Sequence, residues 1–425
     1  MRSRLLVVGL FLFSVSSRAT FAAPLPDAPP DRVGLDAKRL AEIDPIVRSY
    51  IDEGKLAGIV LLVAREGKVA HTSVYGKMNI EAGEAMRRDA LFRIYSMTKP
   101  ITGVALMTLY DEGRFDLDDP VSKYLPAFKD VKVYAGEDGG TVKLAKLTRP
   151  ITIRDLMRHT AGLAYGLLSI SPVDEMYKEA KILDRTKNLD NMVERLVKIP
   201  LAQQPGEKWM YSIAVDVQGK LIEALSGKPL DEYFAERIFK PLAMSDTGFH
   251  VPADKLDRMT VNYGKKDGKL SPVDGGKDSQ FATKPALLSG GGGLVSTADD
   301  YLRFCQMMLN RGELDGVRIL KPETVDLMTR NHLPEKLVPI ALGPLSMANT
   351  GFGLDFAVRV DTAKGEPAGS LGEYWWGGAA STQFFIAPRE DLICVGMTQF
   401  MPATPTFVQD ARKKLYAAVL EPAAK

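Results

Sequence analysis

Phe92-Arg93-Ile94-Tyr95-Ser96-Met97-Thr98-Lys99-Pro100-Ile101-Thr102 runs directly into an apolar-periodic stretch with Val104, Ala105, Met107, Leu109 and Tyr110. That period predicts a helix starting at or just after the serine and ending near Glu112-Gly113. Residues three apart on a helix share a face, so Ser96 and Lys99 can touch. A hydroxyl beside an amine at a helix N-terminus is an arrangement for an activated nucleophile. Neutral lysine can accept the hydroxyl proton, and the helix dipole favours the developing negative charge. S-x-x-K also describes a capped helix with an exposed lysine, so the assignment depends on partners elsewhere in the chain.

The chain has 425 residues, 45% apolar and 25% charged, the composition of an ordinary globular protein with a large core. Its 55 Lys and Arg against 53 Asp and Glu leave a net charge of +2, and no basic stripe interleaved with aromatics suggests nucleic acid. Arg2 and Arg4 precede an apolar run over 5–15 that is too short to span a bilayer. With Thr20-Phe21-Ala22 following, 1–22 reads as an export signal cleaved after Ala22, and 23–33 as a proline-rich leader. The mature protein is then expected to be periplasmic or secreted, with no membrane segment after cleavage. Cys305 and Cys394 are the two cysteines, in a helical and a strand pattern, and read as buried free thiols.

A helix is expected over 37–53, then a hairpin of strands over 57–64 and 69–75 turning at Arg65-Glu66-Gly67-Lys68. The middle of the chain reads as mostly helical, with helices over 153–159, 189–197, 216–225 and 230–239. A capped helix opens at Ser296-Thr297-Ala298-Asp299-Asp300. Strands return over 353–360, 382–386 and 392–398, with a last helix over 406–420. Strands at both ends and helices between predict an α+β fold. Residues 34–116 and 288–425 would form one discontinuous sheet domain, with a helical domain, 117–287, inserted in it. The Ser96 helix would lie at their junction, where pockets form.

No histidine lies within local reach of Ser96, and no G-x-S-x-G elbow occurs. His159 reads as a structural residue ending its helix. Metal-binding spacings are missing, and no cofactor is implied. Gly290 to Gly293 lack the Lys-Ser/Thr of a phosphate loop and read as a tight backbone crossing. Two later segments offer partners for the serine. Pro205-Gly206-Glu207-Lys208-Trp209-Met210-Tyr211-Ser212-Ile213 places a tyrosine in a loop just before a helix. Tyr374-Trp375-Trp376-Gly377-Gly378-Ala379 places two glycines before a strand, where a substrate could lie close. Trp375 and Trp376 are candidates to line an acyl pocket, and Tyr165 for its rim.

Ser96-x-x-Lys99, Tyr211-Ser212-Ile213 and Trp376-Gly377-Gly378, in this order, resemble the family VIII carboxylesterases, relatives of class C β-lactamases and DD-peptidases. Leu117-Asp118-Asp119-Pro120-Val121, His159-Thr160-Ala161-Gly162-Leu163 and Gly291-Gly292-Gly293-Leu294-Val295-Ser296-Thr297 also look like this superfamily. The resemblance implies a β-lactamase-like fold: an antiparallel sheet flanked by helices, with an inserted helical domain. It departs from the β-lactamase pattern twice. Ile213 stands in place of Asn, and Trp376 in place of the Lys of K-T-G. Both changes make the site more apolar and favour a neutral ester over a charged lactam.

The resemblance implies a serine esterase for short-chain acyl esters, forming an acyl-enzyme on Ser96. Lys99 and Tyr211 would share the general-base role, with the first acceptor left open between them. The backbone N–H groups of Ser96 and Ala379 would form the oxyanion hole, and Ile213, Trp375, Trp376, Gly377, Gly378 and Tyr165 would bind substrate. A β-lactamase or DD-peptidase, and a non-catalytic binding protein of the same fold, are the competing readings. The partner implied is a small-molecule ester.

Overall fold

The computed structural model describes residues 24–166, 171–362, 366–404 and 407–420. The expected export signal lies outside these residues. Eight strands form one antiparallel sheet: β1 (Gly58–Arg65), β2 (Lys68–Asn79), β3 (Glu84–Ala85), β4 (Thr350–Phe352), β5 (Ala357–Arg359), β6 (Tyr374–Gly377), β7 (Gln383–Ala387) and β8 (Leu392–Thr398). Their spatial order is β4-β5-β6-β7-β8-β1-β2-β3. The two ends of the sequence therefore meet at the β1–β8 pairing, where Ile59 faces Thr398 and Arg65 faces Leu392.

β1 is buried along its whole length because both faces of the sheet are covered. Successive side chains on a strand point to opposite faces. Ile59, Leu61 and Val63 pack with Val47 of helix α1 (Ile43–Asp52) and with Phe407 and Leu415 of the last helix, Phe407–Ala418. Val60, Leu62 and Ala64 join the larger core that holds helix α2 (Thr98–Asp111), α3 (Ala214–Ser226) and α4 (Ala298–Leu309). Each such aliphatic side chain gains roughly 1.5–3 kcal/mol on full burial. Cys305 on α4 and Cys394 on β8 are buried and unpaired, as expected.

The hairpin turn forms where expected: Glu66 and Gly67 both take positive φ, 51° and 71°, which a two-residue hairpin loop requires. The expected cap of α4 is Thr297, whose hydroxyl accepts the Asp300 N–H at 3.1 Å. Four expectations need correction. The 37–53 helix is two pieces, Ala37–Ala41 and α1, meeting at Glu42. The 23–33 leader is part of the fold from Leu25 onward. Val69 donates to the Pro26 carbonyl and accepts from the Ala28 N–H, both at 2.9 Å, and Leu25 and Val33 are buried.

The middle of the chain, expected to be mostly helical, also holds strands. It carries two β-ribbons, Val133–Asp138 with Thr141–Ala145 and Asn262–Lys266 with Lys269–Asp274. Asp267-Gly268 turns the second ribbon with φ of 52° and 76°, a hairpin signal that short alternating flanks obscure. Tyr263 ties that ribbon to the end of β8, donating to the Gln399 carbonyl at 2.8 Å and accepting from Met401 N–H at 2.7 Å. The single strand expected over 353–360 is the β4–β5 hairpin, reversed at Asp355, φ 64°. Among the described residues no helix is long and apolar enough to cross a membrane.

Candidate active site

Ser96 lies in the short turn Tyr95–Met97 that feeds α2. The turn is pinned from three sides. Ile94 N–H donates to the Leu294 carbonyl at 3.1 Å, Leu294 N–H to the Thr98 hydroxyl at 3.2 Å, and the Tyr301 hydroxyl of α4 to the Met97 carbonyl at 2.9 Å. Tyr95 takes φ 41°, a conformation non-glycine residues rarely adopt and one that clusters at functional sites. Pro100 is tolerated in the first helical turn, where its missing N–H has no partner to lose.

One turn on, Lys99 is 1% exposed. Its Nζ reaches three oxygens: the Gly291 carbonyl at 2.6 Å, Ser96 Oγ at 3.2 Å and the Tyr165 hydroxyl at 3.4 Å. An ammonium has three N–H donors and can serve all three oxygens. The Tyr211 ring, 4.6 Å from Nζ, and the Tyr165 ring, 5.2 Å, add cation–π attraction. Burial works against the charge, but Tyr165, Tyr211 and the Asp216 carboxylate outweigh it, and Lys99 titrates above its ordinary value. Burial pushes the Tyr165 hydroxyl up to about 12.

The glycine run is the tight crossing the sequence suggests, and the structure gives its purpose. A Cβ on Gly290 would press the Val215 carbonyl at 2.6 Å, and one on Gly291 would overlap the Asp216 carboxylate. Only glycine lets the backbone pass between α2 and α3 and aim the Gly291 carbonyl at Lys99. Asp216, in the first turn of α3, accepts from the Ser289 hydroxyl and from the Gly291 N–H at 3.2 Å. The sequence marks Gly291 only as part of that crossing, and Asp216 only as the start of a helix.

Tyr211 precedes α3 and is half-buried. Trp376 Nε1–H donates to its hydroxyl oxygen at 3.3 Å, and Tyr165 stacks on its ring at 5.2 Å. Ser96, Lys99, Tyr211, Tyr165 and Trp376 therefore come together from separate parts of the chain. Gly378 packs against the Ile94 carbonyl so closely that any Cβ would overlap it, and its N–H donates to the Thr382 carbonyl at 2.8 Å. This brings Ala379 towards the serine turn. Among the described residues no acceptor takes the N–H of Ser96 or of Ala379.

Two expected site residues are placed elsewhere. Trp375 and Trp376 are neighbours on β6, so their side chains leave opposite faces. Trp376 meets Tyr211, whereas Trp375 stacks under the Arg359 guanidinium at 4.8 Å on the other face. Ile213 is 0% exposed and joins the core beneath α3, so it offers no surface to a ligand. Tyr165 is more central than a rim residue, being in contact with Lys99 itself. Gly377 is half-buried on β6, opposite Gln383. Beyond Tyr165 opens a cavity of about 370 Å³, lined by Tyr177, Ile182, Leu183, Lys178 and Lys181.

His159 is buried with φ 56°, ending the helix Ile153–Met157. Burial, with the Lys99 ammonium nearby, holds it well below its ordinary value, so it is neutral. Among the described residues no group of three or more His, Cys, Asp or Glu could hold a metal ion.

A wide antiparallel sheet, an S-x-x-K turn at a buried helix and a tyrosine facing the lysine define the serine β-lactamase and penicillin-binding-protein class. The chain belongs to the beta-lactamase family, whose model matches residues 43–419. It is 38% identical to protein Rv1367c of Mycobacterium tuberculosis over 84% of this chain and 89% of the relative. Esterase EstB of Burkholderia gladioli is 34% identical over 84% of this chain and 90% of its own length. Among solved structures, EstCE1, a hydrolase with promiscuous acyltransferase activity, matches with a TM-score of 0.75 at 27% identity, covering 89% of this chain and 99% of the other. Simvastatin synthase LovD of Aspergillus terreus, as the LovD6 mutant, matches with a TM-score of 0.77 at 26% identity, covering 90% and 95%. The chain is thus a serine hydrolase of this family, with esterases and acyltransferases among its relatives.

Proposed function

We propose that this protein is a carboxylesterase that hydrolyses short-chain acyl esters through an acyl-enzyme on Ser96. The observation that carries the reading is the buried Lys99, whose Nζ lies 3.2 Å from Ser96 Oγ and holds two further oxygens. Ser96 Oγ attacks the ester carbonyl carbon. Lys99, with its three N–H groups engaged, is the cation that orients the serine oxygen. The serine proton then passes to the Tyr211 oxygen, which acts in this step as the phenolate beside the Lys99 ammonium and is held by Trp376 Nε1–H. Collapse of the tetrahedral adduct releases the alcohol, which takes the proton back from Tyr211. Water runs the same steps in reverse: it gives a proton to Tyr211, attacks the acyl carbonyl and returns the serine hydroxyl. The N–H groups of Ser96 and Ala379 hold the oxyanion, each such donor being worth about 2.7–4 kcal/mol of barrier.

Trp376 gives the ester reading its substrate preference. Its indole occupies the place of a lysine that would attract a lactam carboxylate. The esterase name of EstB agrees with this. Acyl groups from acetyl to about hexanoyl are the size expected for a site of the usual few hundred Å³. EstCE1's description favours a second outcome for the same acyl-enzyme, transfer to an alcohol in place of water. The test is a comparison of kcat/KM across p-nitrophenyl esters of rising chain length and a chromogenic cephalosporin. Short esters are expected to lead. Faster turnover of the cephalosporin, or of long-chain esters over butyrate, would overturn the assignment.

A further inference from the structure

We propose that His159 is a positioning residue for Tyr211, a role that rests on reading Tyr211 as the proton carrier. Three contacts from this single residue bracket the tyrosine. The His159 carbonyl accepts the N–H of Met210, immediately before Tyr211, at 2.9 Å. Its Nδ1 lies 3.1 Å from the hydroxyl of Ser212, immediately after it. Its ring packs on the Tyr211 ring, 5.0 Å between centroids and tilted 57°. One residue thus holds both chain neighbours and the side chain of Tyr211.

The left-handed backbone explains why this residue can do so. With φ 56° the chain reverses at the end of its helix, turning carbonyl and ring towards the same loop. Ser212 Oγ also accepts the Ala214 N–H at 3.3 Å, so its own proton is free to go to Nδ1. That assigns Nδ1 as acceptor and the proton to Nε2. Nε2 has no hydrogen-bond partner among the described residues, and the imidazole packs edge-on against Trp209 and Phe352, with ring centroids 5.9 and 5.4 Å away. His159 therefore has no route to exchange protons with the reacting atoms. It acts through Tyr211: Trp376 fixes the hydroxyl end of that side chain, and His159 fixes the backbone and inner ring face.

The experiment measures kcat and KM for p-nitrophenyl butyrate in His159→Phe, His159→Asn and Ser212→Ala, each alone and combined with Tyr211→Phe. His159→Phe keeps a ring but loses the bond to Ser212. It is expected to lower kcat about ten- to a hundredfold with KM within about twofold, as misplacement of a reacting group by about 1 Å does. His159→Asn tolerates positive φ and places an amide near Nδ1, and should recover most of the loss. In the Tyr211→Phe background the His159 substitutions should cost nothing further, because contacts that act through one group are not additive. Should His159→Phe fail to fold, Ser212→Ala, which removes one oxygen, carries the same comparison. A cost that persists undiminished in the Tyr211→Phe background, or unchanged kcat in both His159→Phe and Ser212→Ala, overturns the positioning role alone. Wild-type turnover in Tyr211→Phe overturns the proton-carrier reading, and the positioning role with it.

Discussion

Lys99 is the residue on which the chemistry turns. Its Nζ reaches the Gly291 carbonyl, Ser96 Oγ and the Tyr165 hydroxyl, and the Tyr165 and Tyr211 rings add cation–π attraction, so the surroundings favour an ammonium. Its raised pKa lies above the free-lysine value of 10.5, so the charge persists through the neutral and moderately alkaline range. Lys99→Ala removes the cation and leaves the Gly291 carbonyl unpaired. Tyr211→Phe removes the proton carrier and leaves the Trp376 N–H unpaired. Each is expected to lower kcat/KM by about 10²–10⁴. A loss below tenfold in either variant would reject the role given to that residue. At this scale the sequence is informative where chemistry demands a residue type at a fixed local spacing, as in Ser96 and Lys99. It marks Gly291 only as part of a tight glycine crossing, because a backbone carbonyl aimed at Lys99 has no residue signature.

The elements show why some site residues can be read and others cannot. Trp375 and Trp376 look equivalent as a pair, and only the assignment of Tyr374–Gly377 to a strand separates them, one to each face. Two glycines after a short aromatic run hide that strand. The β4–β5 hairpin is hidden likewise, because Asp355 reverses the chain inside what reads as one apolar run. Helix α4, by contrast, announces itself through Thr297. Its third residue, Asp300, is buried, and burial pushes it up to about 7 although it accepts from Asp246 N–H at 2.7 Å and the Thr247 hydroxyl at 2.9 Å. The folded state thus binds this proton more tightly than the unfolded state, whose carboxylate titrates near ~3.9. Stability contributed by the protonated form is present below about pH 4 and is lost as pH rises towards about 7. Asp300→Asn keeps an acceptor without the charge. It should flatten that fall in Tm and be at least as stable as wild type at pH 8. A variant clearly less stable at pH 8 would contradict this.

Across the whole molecule, the β1–β8 pairing joins the two ends of the sequence, and helices cover both faces of the resulting sheet. This architecture follows from strands at both ends and helices between. The terminal segment does not, since a proline-rich composition reads as a linker until its partners are seen. Pro26 and Ala28 bond to Val69, and Val33 is 0% exposed. A chain beginning at Gly34 loses that burial, worth roughly 1.5–3 kcal/mol for a valine of this kind. Its Tm should fall by several degrees, and an unchanged Tm would show that the segment contributes nothing.

The site draws Ser96, Tyr211 and Trp376 from distant parts of the chain, so its central claim concerns one atom, Ser96 Oγ. The direct measurement is labelling with a fluorophosphonate, followed by peptide mapping and an ester assay. The expected result is a single adduct on the peptide carrying Ser96, loss of ester turnover in step with labelling, and neither label nor turnover in Ser96→Ala. No adduct on that peptide in active protein, or wild-type turnover by Ser96→Ala, would contradict it.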